Sequence, residues 1–226
     1  MTDRSRRART VVAVAGRSGA GKDAVADALA RAMGFSNLKF AKPLKDAAGV
    51  LFGLPPQCFE DRALKDAPHD ALRGSTPRAV LQWLGTDVMQ HGLREAGLLP
   101  GVGRGFWARR LISAIDALPP SQDRVVVSDM RFPHELELLR ERYGGSGGGG
   151  GSGDRFIALK VVRPHVGVGV GVGVGVDDAH ESESAVDGIE DVDAVIRNVG
   201  TLLELEAEAV RLVDDFRSRP ELQPRT

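Results

Sequence analysis

The stretch Gly16-Arg17-Ser18-Gly19-Ala20-Gly21-Lys22-Asp23 has the spacing G-x-x-x-x-G-K. That pattern suits the chemistry of holding phosphate. Glycines let consecutive backbone N–H groups turn inward around an anion, where side chains would block the approach. A helix opening at Lys22 adds the positive end of its dipole. The Lys22 ammonium then reaches the β- and γ-phosphates. A glycine turn that binds nothing is the alternative. Asp23 stands where Ser or Thr normally holds Mg²⁺. Its carboxylate either binds the metal, directly or through water, or simply favours the helix N-terminus.

Asp129 ends the apolar run Val125-Val126-Val127-Ser128. Ligands collect at such strand ends in open α/β sheets, and a carboxylate there has the Walker-B position facing a metal. A helix-capping role before Pro133 is the other reading. Arg131 and Glu135 follow in Asp-x-Arg-Phe-Pro-x-Glu. Arg131 either neutralises charge during phosphoryl transfer or pairs with Glu135 at the surface. Lys42, Lys45 and Arg78 are each solvated charges or, beside a phosphate loop, a second anion site. Trp83 is expected in the core. Trp107 is expected in the core or as a platform for a base. His180 is expected at the surface. The chain has no His/Cys cluster with metal spacing and no Ser-His-Asp set in a supporting context.

Elements must position these groups. Residues 10–15 form a β-branched apolar run, which predicts a buried strand. Val25, Leu29 and Met33 then recur at helical spacing until Gly34. A brief strand is expected at about 37–41, and a helix over roughly 43–52 that ends at Gly53. Residues 57–75 show no clear period. Thr76-Pro77 opens a helix with the stripe Val80, Leu81, Leu84, Val88 and Met89. A further helix covers 106–118. Strands are expected at 124–130, 156–162 and 194–198. Pro133 starts a helix to about Tyr143. Thr201 caps a last helix whose stripe is Leu202, Leu205, Ala209 and Leu212. Continuous apolar strands alternating with helices predict a parallel sheet covered on both faces.

The totals set the limits. Of 226 residues, 28 are Gly. Residues 144–153 hold eight of them and 166–176 hold five, so the excess sits in two low-complexity inserts read as a flexible linker and a mobile loop. The rest has ordinary globular composition: 42% of residues are hydrophobic and the net charge is −1. With 30 basic and 31 acidic residues, no global field favours nucleic acid or a membrane. Arg4, Arg6, Arg7 and Arg9 are read as a solvated, disordered tail over 1–9, and 218–226 as a C-terminal tail. Cys58 is the only cysteine, which fits a reducing cytosol. No apolar run reaches the ~18 residues of a membrane span, and 11–15 is too short for a signal peptide.

Several pieces together resemble a known family, the deoxynucleoside monophosphate kinases of bacteriophages. They are GRSGAGKDAVAD (16–27), FAKPLKDAAGVLFG (40–53), TPRAVLQWLGTDV (76–88), FWARRL (106–111), VVVSDMRFPHELE (125–137), KVVRP (160–164), HESE (180–183) and VIRNVGTLLEL (195–205). They run in order over nearly the whole chain after residue 10, and the GKD ending is a family feature. The resemblance implies a P-loop NTPase fold of α/β class: about five parallel strands, helices on both faces and a mobile lid, in a single kinase domain over 10–217. It implies transfer of the ATP γ-phosphate to a deoxynucleoside monophosphate, with Mg²⁺ held by Asp23 and Asp129. Catalysis would fall to Lys22, Arg131 and Asp129. Gly16, Ser18, Gly19, Ala20, Gly21, Lys22, Asp23 and Ala24 would bind ATP phosphates, with Asn198 near the adenine. Lys42, Lys45, Arg78, Trp107, Arg131 and Glu135 would bind the monophosphate, and Arg163 is a candidate lid arginine. The expected partners are small nucleotides, with no nucleic acid and no membrane, in a cytoplasmic monomer or homodimer. Two rival readings are another small-molecule P-loop kinase, such as dephospho-coenzyme A kinase, and a nucleotide-binding regulator without catalysis.

Overall fold

A computed structural model describes residues 8–98, 103–144, 153–164 and 185–218. The lid expectation, the insert 166–176 and His180 lie outside these residues, as do the tails 1–7 and 219–226. The chain divides into two compact units: residues up to Lys39 together with those from Leu111 on, and residues 40–110.

The first unit carries five strands: β1 Thr10–Ala15, β2 Ser36–Leu38, β3 Arg124–Met130, β4 Arg155–Val162 and β5 Ala194–Arg197. Their order is β2-β3-β1-β4-β5 and every pairing is parallel. Each expected strand is present, but the brief one expected at about 37–41 is Ser36–Leu38, and the helix expected from about 43 already begins at Ala41. Val11 to Ala15 of the central strand are all fully buried, as a strand covered on both faces requires.

Alternate residues serve opposite faces. Val12, Val14, Val126, Ile157 and Leu159 pack with Val25 and Leu29 of α1 (Lys22–Met33). The same cluster takes Leu205, Ala209 and Val213 from the last helix, Leu202–Ser218. The other face keeps Val11, Ala13, Val125 and Val127 buried. The helix Pro133–Tyr143 buries Leu136, Leu139 and Tyr143. Burying each large apolar side chain contributes roughly 1.5–3 kcal/mol, so the two apolar faces of the sheet account for most of the driving force.

Local signals start and stop the helices. Gly34 ends α1 in the left-handed conformation and its N–H returns to Ala30. Thr201 and Glu204 cap the last helix reciprocally: the Thr201 N–H donates to Glu204 Oε2 at 2.7 Å and the Glu204 N–H to Thr201 Oγ1 at 3.3 Å. Leu202 departs from the expected stripe. As the first residue of its helix it lines a groove with Ala24 and Glu206 and is 60% exposed.

Arg9 corrects the tail expectation. It is 3% exposed. Its guanidinium donates to the Leu118 carbonyl at 2.7 Å and the Gln122 carbonyl at 3.1 Å. Its backbone N–H donates to Asp154 Oδ1 at 2.8 Å. The carbonyls just past a helix end lack partners within the helix, and an arginine entering β1 supplies them.

The second unit is helical. It contains α2 Ala41–Phe52, α3 Gln57–Glu60, α4 Arg62–Asp66, α5 Pro77–Gln82 and α6 Leu93–Glu95, and α7 Phe106–Asp116 begins in it. Its core is Ala48, Leu54, Cys58, Phe59, Leu81 and Leu84, with Val80, Val88 and Met89 packed against it. Thr76 caps α5 by accepting from the Ala79 N–H at 3.1 Å. Between α5 and α6, from Trp83 to Gly92, the backbone bonds widen to the i→i+5 pattern. Trp107 Nε1 donates to the Gly85 carbonyl at 3.0 Å, inside that segment. Trp83 is 52% exposed, against the expectation that it is core. At about 100° per residue it falls opposite the Leu81/Leu84 stripe. We label Pro133–Tyr143 α8 and Leu202–Ser218 α9 below.

Candidate active site

The C-terminal ends of the five strands define the candidate site of the first unit, since ligands gather at that edge of a parallel sheet. β1 runs directly into the Gly16–Gly21 turn, and Gly21 opens α1. Gly21 has φ 111° and Gly19 φ 72°, in the left-handed range that favours glycine. Packing makes a second demand. A Cβ on Gly16 would lie 2.6 Å from the Val161 carbonyl oxygen. One on Gly21 would lie 2.7 Å from Leu205 Cδ2 and 2.9 Å from Asn198 Nδ2. The loop is pressed onto β4 and the β5–α9 connection, with no room for side chains beneath it.

Lys22 is buried, with its Nζ 2.7 Å from the Gly16 carbonyl and 2.8 Å from that of Arg17. The ammonium is therefore folded back into the curl of the loop. Ser18 and Gly19 are exposed, Ala20 is buried and Ala24 half-buried. Asn198 donates from Nδ2 to the Ala20 carbonyl at 2.9 Å, which ties the loop after β5 to the phosphate loop. Arg17 reaches outward to Asp187, at 2.5 and 3.1 Å.

Asp129 is half-buried at the end of β3. The β1–β3 register shifts between Ala13, opposite Val127, and Ala15, opposite Met130. β3 thus carries one extra residue at Ser128–Asp129, a bulge of the kind that re-aims side chains beside active sites. Ser128 is 1% exposed. Its hydroxyl lies 3.2 Å from Asn37 Oδ1 and 3.4 Å from Asp23 Oδ1.

Glu135 does not pair with Arg131 as a surface ion bridge. It is 6% exposed, and its Oε2 accepts from the backbone N–H groups of Arg131 at 2.8 Å and Phe132 at 3.1 Å. Burial pushes its carboxyl up to about 8. The two N–H donors and the Arg131 charge pull the other way, while Asp129 adds to the rise. Glu135 thus braces the turn that carries Arg131, itself half-buried.

Of the remaining residues expected at the site, Lys42, Lys45, Arg78 and Trp107 belong to the second unit. Lys42 pairs with Asp46 one helical turn on, at 2.8 and 2.9 Å. Lys45 donates to Glu60 at 2.9 Å. Arg78 makes a two-pronged bond to Asp66, whose carboxyl is held below the usual range, first by that bond. Trp107 is half-buried and packs edge-on against Phe106 at 4.8 Å between centroids. Arg163 is exposed just past β4.

Lys39 is a charged group that the sequence reading passed over. Its Nζ lies 2.8 Å from Asp23 Oδ1. It follows β2 directly, so the rule of strand ends would have found it. A groove of about 460 Å³ lies elsewhere, between α1 and α9 around Asp27, Arg31 and Glu206. Arg31 and Glu206 form an ion pair across it at 2.7 Å, and the phosphate loop contributes nothing to its lining.

The loop's left-handed glycines, the buried lysine and the carboxylate at the neighbouring strand end are the features of a phosphate-binding kinase fold. No family model matches the chain. A protein of Acanthamoeba polyphaga mimivirus named "Putative deoxynucleotide monophosphate kinase" is 29% identical over 213 residues, covering 91% of this chain and 96% of that one. The APS kinase of Mycobacterium tuberculosis, solved with AMPPNP and APS, covers 92% of this chain and 99% of its own at 16% identity, with a TM-score of 0.51. The fold is that of the P-loop kinases. The resemblance to deoxynucleotide monophosphate kinases is borne out by a homologue that runs nearly end to end with this chain. That homologue is viral, from a giant virus.

Among the described residues, no group of three or more His, Cys, Asp or Glu could hold a metal by itself. Mg²⁺ at phosphate sites needs no such cage, because one or two carboxylates and the substrate phosphates suffice. Asp129, at its strand end, fits that demand. Asp23 has one of its oxygens bonded to Lys39. No helix among the described residues is long and apolar enough to cross a membrane.

Proposed function

We propose that this protein is an ATP-dependent deoxynucleoside monophosphate kinase, transferring the ATP γ-phosphate to give ADP and a deoxynucleoside diphosphate, a precursor for DNA synthesis. The observation that carries the reading is the phosphate loop Gly16–Asp23, set at the end of the central strand of a chain collinear with a kinase of that name.

An acceptor phosphate oxygen is already nucleophilic at neutral pH, so no strong general base is required. Catalysis becomes positioning and neutralisation of charge. The amides of Gly19, Gly21 and Lys22 would donate to the β- and γ-phosphates, and the Lys22 ammonium would leave the Gly16 and Arg17 carbonyls for phosphate oxygens. Arg131, carried on the turn braced by Glu135, would neutralise the group in transfer. Lys42, Lys45 and Arg78 would exchange their carboxylate partners for the acceptor phosphate. Trp107 would add a flat apolar surface for the base. Asn198 would hold the loop after β5 against the phosphate loop, next to where adenine would enter. Asp129 would help hold Mg²⁺, which when bound would supply positive charge to offset that of the phosphates.

A coupled ADP-release assay over dGMP, dTMP, dCMP, dAMP and dephospho-coenzyme A tests the proposal. ADP release that depends on one or more of the four monophosphates is expected. Release only with dephospho-coenzyme A would move the chain to the rival kinase class. ATP binding with no acceptor-dependent release would make it a nucleotide-binding regulator.

A further inference from the structure

Three elements of the first unit converge on the Asp23 carboxylate. Asp23 sits in the first turn of α1, immediately after Lys22. Lys39 is the residue directly after β2, and its Nζ donates to Asp23 Oδ1 at 2.8 Å. Ser128, at the β3 bulge, approaches the same oxygen at 3.4 Å and Asn37 at 3.2 Å. The spacing is set by the sheet, because Leu38 pairs with Val127, which places the residues after each on adjoining strand ends. The register sets Lys39 beside Ser128 at adjoining strand ends, and Asp23, on α1, meets both side chains there.

Three further features bear on its use. Lys39 keeps 34% of its side-chain surface exposed and Asp23 keeps 72%, so a ligand can reach the pair. Burial raises the Asp23 carboxyl, but the Lys39 bond and the charges of Lys39 and Lys22 outweigh it, and the net shift is below the ordinary value. Asp23 thus stays ionised at neutral pH and the pair stays closed. A metal ion at Asp23 would also have to compete with the bonded ammonium for one of its oxygens. A lysine offers a strongly hydrated point charge with three donors, suited to phosphate oxygens.

We infer that Lys39 is a second phosphate-binding ammonium beside Lys22, and that Asp23 is the positioning residue that holds it there rather than a metal ligand. The ligand class is the phosphoryl oxygens of a nucleotide, and the inference rests on the phosphate-transfer reading above. The full chain should be titrated calorimetrically with ATP, and separately with each deoxynucleoside monophosphate, with and without Mg²⁺. The variants are Lys39→Met, Lys39→Arg, Asp23→Asn and the double Lys39→Met/Asp23→Asn, each with its melting temperature recorded.

Lys39→Met is expected to weaken one of the two nucleotides about tenfold, the loss of one charge-assisted contact, with and without the metal. The arm that loses affinity identifies which phosphate Lys39 touches. Lys39→Arg should recover part of the loss. Asp23→Asn should weaken the same arm, and the double variant should be within about twofold of the weaker single one, because the pair acts as a unit. Half-saturating Mg²⁺ should be the same in Asp23→Asn as in wild type. Wild-type affinity for both nucleotides in Lys39→Met would overturn the inference. So would a severalfold rise in half-saturating Mg²⁺ in Asp23→Asn alone. Binding needs no turnover, so a chain that phosphorylates none of the monophosphates would refute the kinase reading while the ATP arm still reports on Lys39.

Discussion

Lys22 and Glu135 show what single residues contribute. The Lys22 ammonium holds two loop carbonyls and is the group aimed at the β- and γ-phosphates. Lys22→Ala should reduce phosphoryl transfer by at least about a hundredfold, the scale of losing a charged stabiliser of the transition state. Circular dichroism and melting should show the sheet intact, and wild-type-like turnover in this variant would remove Lys22 from the mechanism. Glu135 gives a pH signature. Its carboxyl titrates at about 8 in the folded chain against 4.5 unperturbed. Between those values the folded state holds a proton that the unfolded state has released, so stability falls as pH rises from about 4.5 to about 8 and levels off above. Thermal melts across that window should show a steeper decline for wild type than for Glu135→Gln, which has no proton to lose. Parallel curves would mean that burial does not keep the group protonated. The residues of the phosphate loop were legible because their signal is local: six positions between an apolar run and a helix. The Asp23–Lys39 pair was not, because the two are 16 residues apart, on α1 and after β2, and meet only through the tertiary fold.

At the scale of elements, two predictions separate packing from conformation. Gly21 and Gly34 both have positive φ, but a Cβ on Gly21 would strike Leu205 and Asn198 while one on Gly34 would meet nothing within 4 Å. Gly34→Ala should cost about 1 kcal/mol, the left-handed penalty alone. Gly21→Ala should cost about 2–3 kcal/mol and weaken ATP binding as well. Equal losses in chemical denaturation would mean that the β5–α9 connection yields. Arg9→Ala should cost about 3 kcal/mol, because it strips charged donors from the carbonyls past α7. In a chain of this size that corresponds to a melting drop of roughly 6–12 °C, and a drop near zero would mark those bonds as replaceable by water. The strand pattern was readable from sequence because buried parallel strands are short continuous apolar runs. Trp83 was misread because an apolar residue near a stripe was counted with it although its angle lies opposite. Arg9 was misread because charge composition says nothing of the strand it enters. The bulge at Ser128–Asp129 has no sequence marker, since it arises from the register against β1.

For the whole molecule, the glycine excess separates into parts with different meanings. Residues 144–153 join α8 to β4, and both of those elements are anchored by their own buried side chains. Shortening that run to a few residues should leave turnover within about twofold, since loop length changes closure entropy only slowly; loss of activity would assign the run a part in the chemistry. The α/β class and the parallel sheet follow from the alternation of elements, whereas the strand order and the division into two units, with Lys42, Lys45, Arg78 and Trp107 in the second, depend on long-range packing that no local pattern encodes. The central claim is that the Gly16–Asp23 loop serves phosphoryl transfer to a nucleoside monophosphate, and acceptor-dependent ADP release measures it directly. With saturating ATP and Mg²⁺, wild-type protein should release ADP on addition of at least one of dGMP, dTMP, dCMP or dAMP, and Lys22→Ala should not. ADP release that none of the four monophosphates stimulates, from protein that binds ATP, would contradict it.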